Sequence, residues 1–345
     1  MPHFEIFSDQ HSTLAPYLAS HFDKQLHVIN VEQFPSTETK LNGFADADIA
    51  GKNILYVHQF FSGLQEKKLY NQQNPLVLSF DRLRMIGALA RRSLGVGWVS
   101  KDMSGSQTIN QSLFDLLLIL ASFKASGAKK ITLLMPYLPY ARQDKPITTE
   151  NFLISSLVTN MLHNAGAGSL ITYDLHNPTL TDQISLPVKN LTATAHWINL
   201  IKNVYPTLNN ICIATPDHGA LVRAQPVAQK LGVPLICLTK KRTENQVSIA
   251  DVDGDVAGKQ VILIDDILDT GHTAIAACNA LLEHGAQSVS GYFSHAVFSA
   301  DALEHMQESR FEKIFIGNSL LYGPTNLDGK FVLVDTYESI FNRMD

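Results

Sequence analysis

The sequence predicts an α/β protein built from two doubly wound, mainly parallel sheets in tandem. Three observations carry this expectation. Short aliphatic runs alternate with longer amphipathic segments along most of the 345 residues, and strand, helix and strand repeated in this way give parallel sheets covered on both faces. The pattern restarts after Leu191, where ISLPVKNLTA interrupts it with a proline and polar residues. The chain is also long enough for two domains of ordinary size, each with a substantial core.

In the first domain the aliphatic runs Phe4–Phe7, His27–Val31, Ile54–His58, Ile131–Met135 and Ser169–Tyr173 are expected to be strands. In the second they are Ile211–Thr215, Leu235–Leu238, Val261–Ile264, Val289–Phe293 and Ile314–Ile316. Helical periodicity falls between them at Asn110–Ala125, Asn151–Ala165, Ala193–Asn203, Gly219–Leu231, Thr273–His284 and Asp301–Glu308. The domains are therefore placed at 1–191 and 192–330, with 331–345 a terminal strand and helix expected to pack back on the first. Residues of about 60–105 break the alternation: NQQNP and GVGWVSKDMSGSQ read as loop around a helix at Ser79–Arg92. An insertion at the surface accounts for them, because loops tolerate added length cheaply.

Composition narrows the function. An apolar fraction of 45% and a charged fraction of 17% are those of a soluble globular chain. A formal charge of −5 gives no basic excess, which argues against nucleic acid or a membrane surface as partner. MPHFEIFSDQ lacks the basic and apolar regions of a signal peptide, and the greasy stretch from Leu113 to Phe123 is broken by Asp115 and too short to span a bilayer. Cys212, Cys237 and Cys278 have no ligand spacing and sit in apolar runs, so buried reduced thiols and a cytoplasmic location are expected.

The chemistry concentrates in VILIDDILDTGHTA, residues 261–274. In open parallel sheets ligands bind beyond the carboxyl ends of strands, and Asp265 and Asp266 are expected to be the first residues beyond one. Asp269, Thr270, Gly271, His272 and Thr273 then turn into a helix. Backbone N–H groups of such a turn, with a helix N-terminus behind them, suit a phosphate, and the threonine hydroxyls can donate too. The acids cannot hold that phosphate, since like charges repel; they suit the vicinal hydroxyls of a sugar or a bridging cation. A helix cap uses one acid, and three at this spacing exceed that need. The parts describe a receptor for a sugar 5-phosphate.

This stretch resembles the phosphoribosyl diphosphate loop of type I phosphoribosyltransferases and of ribose-phosphate diphosphokinases, although His272 stands where the diphosphokinases usually have a small residue. A second stretch, PYLPYARQDKP (136–146), is nearly identical to the Pro-Tyr-x-x-Tyr-Ala-Arg-Gln-Asp by which ribose-phosphate diphosphokinases hold ATP. Its Arg142 offers a planar fork for phosphate oxygens, Gln143 can read a base edge or ribose, and Asp144 completes the motif. ITYDLHN (171–177) and IATPDHGALVRA (213–224) supply His176 and Asp217, which the resemblance implies hold Mg²⁺ on the triphosphate. LTKKRTEN (238–245) supplies Lys240 and Arg242, implied to begin a mobile catalytic loop that neutralises the β- and γ-phosphates. QFPSTETK (33–40) resembles the segment that packs on adenine from a neighbouring subunit, which matches Phe34, Ser36 and Glu38 and implies a homo-oligomer.

The resemblance runs from Phe4 to about Ala302, outside the insertion. It implies two phosphoribosyltransferase-type domains, the first for ATP and the second for ribose 5-phosphate. The implied reaction moves the β,γ-diphosphoryl group of ATP to O1 of ribose 5-phosphate, giving 5-phosphoribosyl 1-diphosphate and AMP with Mg²⁺ as cofactor. Three departures bear on this. Asp144-Lys145 runs straight into Pro146-Ile147, which shortens a segment over the nucleotide. Asp48-Ile49-Ala50-Gly51 replaces the usual Ser-Ile-Arg-Gly, so allosteric control by phosphate or ADP is expected to be weak. The tail IGNSLLYGPTNLDGK lacks the usual Thr-rich ending. A phosphoribosyltransferase using the diphosphate sugar, and a non-catalytic regulatory relative, remain the alternatives.

Overall fold

The computed structural model describes residues 4–33, 36, 38–44, 49–60, 108–145, 153–243, 246–320, 329–341 and 343, without the side chains of 240–248 and 250. Most of the expected insertion, and Phe34, lie outside the described residues. The chain divides into two units that meet in sequence at Leu191 and Thr192, and Ile340–Asp345 groups with the first.

The first unit holds β1 (Glu5–Asp9), β2 (Leu26–Gln33), β3 (Thr39–Asn42), β4 (Asn53–Val57), β5 (Lys130–Leu134), β6 (Ser169–Tyr173) and β7 (Val188–Leu191). Among the described residues its helices are α1 (Leu14–His21), α2 (Ile109–Ala125) and α3 (Ile154–Ala165). The second holds β8 (Ile211–Thr215), β9 (Leu235–Thr243), β10 (Gln246–Asp253), β11 (Gln260–Leu268), β12 (Ser288–Ala296), β13 (Lys313–Gly317) and β14 (Phe331–Val334). With them come α4 (Thr194–Val204), α5 (Leu221–Leu231), α6 (His272–Glu283) and α7 (Ala302–Glu308); α8 (Tyr337–Phe341) ends the chain's helices.

The strand orders are β3-β2-β1-β4-β5-β6-β7 and β10-β9-β8-β11-β12-β13-β14, the same order twice. All neighbours are parallel except the edge hairpins β2–β3 and β9–β10. The strand order reverses between β1 and β4, and between β8 and β11, where an open α/β sheet opens a crevice for ligands.

Local sequence explains the main elements. Every residue of β8 is buried, as a continuous aliphatic run in a sheet covered on both faces should be. α2 starts at a capping box: Gln111 N–H donates to Thr108 Oγ1 at 3.2 Å, and Thr108 N–H donates to Gln111 Oε1 at 2.9 Å. In the second core Val261 and Leu263 of β11 pack with Ala277, Cys278 and Leu281 of α6 and Ile314 of β13. A polar tie interrupts the first core. Buried His58 has Nδ1 3.2 Å from Asp9 Oδ2 and Nε2 3.0 Å from Ser112 Oγ, joining β1, β4 and the first turn of α2. Burial alone would raise the Asp9 carboxyl; the hydrogen bond and charge of His58 outweigh it and hold the carboxyl below its usual range. Cys212 and Cys278 are buried thiols pushed up to about 11 and about 12 by burial, while Cys237 is half-buried and all three are free. Among the described residues no helix is long and apolar enough to cross a membrane.

Several expectations need correction. Val188–Leu191, read as part of an interruption between domains, is the edge strand β7 beside β6. Phe331–Val334 does not go back to the first sheet but forms the edge of the second, parallel to β13. Lys240 and Arg242 are not beyond a strand: β9 extends through both, opposite Ile249 and Val247 of β10. Asp265 and Asp266 also lie inside β11 rather than after it. The ladder with β8 stops at Leu263↔Ala214, but that with β12 continues through Asp265↔Phe293 to Leu268↔Ala296. The acids thus project past the end of one neighbour while the other still holds their backbone.

Candidate active site

The acid end of β11 is built by its neighbours. Asp266 is 1% exposed, and its Oδ2 lies 3.1 Å from Nη2 of Arg223, itself 8% exposed on α5. Asp265 is half-buried, and the Asp266 N–H donates to its Oδ1 at 3.0 Å. Burial pushes the Asp265 carboxyl well above its ordinary value, and the adjacent Asp266 and the charge of Asp217 push the same way, against the opposing pull of Arg223. Asp217, after β8, accepts a hydrogen bond from Ala220 N–H at 3.1 Å and so caps a 3-10 turn at His218–Ala220. Asp217, Asp265 and Asp266 therefore gather acidic charge at the point where the strand order of the second sheet reverses.

The turn after β11 places its residues differently. Ser299 donates to Asp269 Oδ1, tying the turn to the segment that follows β12. Gly271 has φ +80° and is the residue before the first turn of α6. Thr270 and Thr273 are half-buried beside it. The His272 ring lines an open cavity of about 360 Å³ with Ile275 and Asn279 of α6 and His305 of α7, its centroid 5.6 Å from that of His305. What His272 brings to the turn itself is its backbone N–H, one of the amides that a helix leaves available at its start.

In the first unit, Arg142 and Gln143 are exposed and line a cavity of about 480 Å³ with Asn110, Tyr137, Pro139 and Tyr140. Tyr140 has φ +63°, and its hydroxyl donates to Asn110 at the start of α2. The Asp144 carboxylate accepts from Asn177 Nδ2 at 2.8 Å. That bond joins the PYLPYARQD turn to the end of the ITYDLHN strand, where His176 is half-buried. Ser36 and Glu38 are exposed between β2 and β3, with Ser36 Oγ donating to Glu38 Oε2 at 2.7 Å.

Comparison with known proteins fits this geometry. Residues 188–311 match the phosphoribosyl transferase domain, and residues 101–166 match the N-terminal domain of ribose phosphate pyrophosphokinase. The ribose-phosphate pyrophosphokinase of Bacillus caldolyticus is 36% identical over 218 residues, 63% of this chain and 69% of that one. The chain belongs to the ribose-phosphate pyrophosphokinase family. The relative of the same name from Aquifex aeolicus is 37% identical over 62% of this chain and 69% of that one. The crystal structure of phosphoribosylpyrophosphate synthetase from Mycobacterium smegmatis superposes with a TM-score of 0.76 over 99% of this chain and 97% of that one, at 25% identity.

Within this pyrophosphokinase fold, the motifs visible in the sequence sort into two groups. The second unit brings Asp217, Asp265, Asp266 and the Asp269–Thr273 turn to one sheet end; the first brings Arg142, Gln143, Asp144 and His176 to another. Among the described residues no three His, Cys, Asp or Glu side chains are grouped tightly enough to hold a metal ion by themselves. Arg223 and Asn177 lie inside the motif stretches, but their partnerships with Asp266 and Asp144 were not marked by the sequence, and Ser299, the partner of Asp269, lies outside the motifs altogether. Tyr137 and Tyr140 were on view in the PYLPY run, but nothing in the sequence gave them a cavity to line.

The raised Asp265 carboxyl has a testable cost. A group held above its unfolded value stabilises the fold at low pH, and that stability is lost as pH rises through the raised value. At neutral pH and without ligands, Asp265→Asn should therefore raise the melting temperature by a few degrees. The gain should shrink as pH falls toward the ordinary aspartate value of 3.8. A variant that melts below the native protein at neutral pH would refute this account of the acid end.

Proposed function

We propose that this chain is a ribose-phosphate diphosphokinase, transferring the β,γ-diphosphoryl group of ATP to O1 of ribose 5-phosphate to give 5-phosphoribosyl 1-diphosphate and AMP. The observation that carries this reading is the acid end of β11 running directly into an amide-rich turn at α6. The turn from Asp269 to Thr273 suits the sugar 5-phosphate, and Asp265 suits the ribose hydroxyls. The cavity beside Arg142 and Gln143 suits ATP, with the Arg142 guanidinium for phosphate oxygens and the tyrosine faces for a base. Asp144 supports that cavity by its bond to Asn177.

Phosphoryl chemistry asks the protein mainly for alignment and for neutralisation of charge. Lys240, Arg242 and Arg142 are the cations for that task, and the anomeric hydroxyl of the held sugar attacks the β-phosphorus as AMP departs. The donor chemistry also fits Mg²⁺, with Asp217 as a hard oxygen ligand and His176 as a nitrogen ligand. The raised Asp265 carboxyl supports the fit, since excess negative charge at that sheet end is relieved by a cation. Mg²⁺, when bound, supplies charge neutralisation on the triphosphate. A homo-oligomer in which Phe34, Ser36 and Glu38 meet the adenine of a neighbour, and a cytoplasmic location, belong to the same reading.

The direct test is incubation with ATP, Mg²⁺ and ribose 5-phosphate, followed by separation of nucleotides. AMP and the diphosphate sugar should appear together in equal amounts and only when all three components are present. ADP in place of AMP, or no nucleotide product from folded protein, would rule the activity out.

A further inference from the structure

Asp265 and Asp266 are neighbours in one strand, but their surroundings assign them different work. Asp266 is 1% exposed, with Oδ2 3.1 Å from a guanidinium nitrogen of Arg223 that is almost as deeply buried. An oxygen engaged in this way reaches a sugar only by leaving a buried cation without its partner, which is strongly unfavourable. Asp265 is half-buried instead, and its Oδ1 receives the backbone N–H of Asp266.

The origin of Arg223 gives the pair a purpose. It lies on α5, the helix that follows β8 and Asp217. The β8 ladder reaches along β11 only as far as Leu263. The Arg223–Asp266 pair lies three residues further on and ties α5 to the projecting acid end.

We infer that Asp266 holds no substrate, and that Arg223 and Asp266 are a positioning pair fixing the end of β11 so that Asp265 alone presents its carboxylate to the sugar. This rests on the ribose 5-phosphate reading above. It gives the two acids of the motif separate roles, one toward the ligand and one toward the frame. It also names Arg223 as a residue on which sugar affinity depends without contact.

The test compares Arg223→Met, Asp266→Asn and the double variant with the native protein. Ribose 5-phosphate binding is measured by calorimetry, KM and kcat for both substrates by nucleotide assay, and folding by melting. Each single variant leaves one buried charge unpaired, so ribose 5-phosphate affinity should fall about tenfold or more while KM for ATP stays within about twofold. Removing both charges restores a compatible interior, so the double variant should recover sugar affinity to within about threefold of native. A folded double variant as weak as Asp266→Asn alone would show that Asp266 grips the sugar and would overturn the inference. If Arg223→Met does not fold, Arg223→Lys serves: it keeps the charge but not the planar fork, and an unchanged sugar affinity there also overturns it. Failure of the native protein to bind ribose 5-phosphate would remove the underlying reading itself, and the positioning pair with it.

Discussion

Lys240→Ala should lower turnover by about 100-fold or more while ribose 5-phosphate affinity stays close to native. The reason is a division of labour along the second sheet. On the proposed reading the sugar is held at the end of β11 and the start of α6, whereas Lys240 belongs to the antiparallel edge hairpin β9–β10. There it stands opposite Ile249, at the point where the register shifts between Ile249 and Asp251. Such irregularities re-aim side chains and are common beside active sites. In the proposed reaction Lys240 acts on charge that develops as the diphosphoryl group moves, so its removal should cost the transition state and leave the ground state alone. Single-turnover kinetics beside equilibrium binding would separate the two. A native rate in Lys240→Ala would exclude that side chain from the chemistry.

The sequence exposed those parts of the fold where burial and pairing coincide. β6 and β8 were legible to the residue because each is a short, mostly uncharged and apolar run whose residues are buried on both faces, Ser169 alone being half-buried. β7 was not: only Leu191 is buried, Lys189 is exposed and Val188 and Asn190 are half-buried, and so short and polar an edge reads as a linker. β10 hid for the same reason behind Asp251 and Asp253. β11 shows the converse error. Its aliphatic run ends at Ile264, but hydrogen bonding to β12 does not depend on side-chain character, so the strand continues through both acids.

The site follows the same logic. Motifs that are contiguous in sequence, such as DDILDTGHT and PYLPYARQD, could be read directly, because a turn and the helix behind it are local structures. Their supports could not. Arg223 meets Asp266, Ser299 meets Asp269 and Asn177 meets Asp144 only because parallel neighbours bring crossover-separated segments side by side. His272 illustrates the limit within a motif. Its position in the turn was evident, but the direction of its ring, toward His305 and the groove between α6 and α7, depends on a helix that begins 30 residues later.

Gly271→Ala should weaken ribose 5-phosphate binding by about tenfold or more and lower stability at the same time, for one geometric reason. Gly271 has φ +80°, where an L side chain costs roughly 1–2 kcal/mol. An added Cβ would also stand 2.9 Å from Met306 Sδ and 3.0 Å from Met306 Cγ. Met306 is fully buried in the second core against α6 and β13, so it has little room to withdraw. The turn must then move, and the amides proposed to face the 5-phosphate move with it, while the Arg142 cavity of the first unit is untouched. Calorimetry should show lost sugar affinity with ATP affinity near native. Undiminished ribose 5-phosphate affinity in Gly271→Ala would mean that the phosphate does not rest on this turn, because no arrangement of the same amides survives a side chain there unchanged.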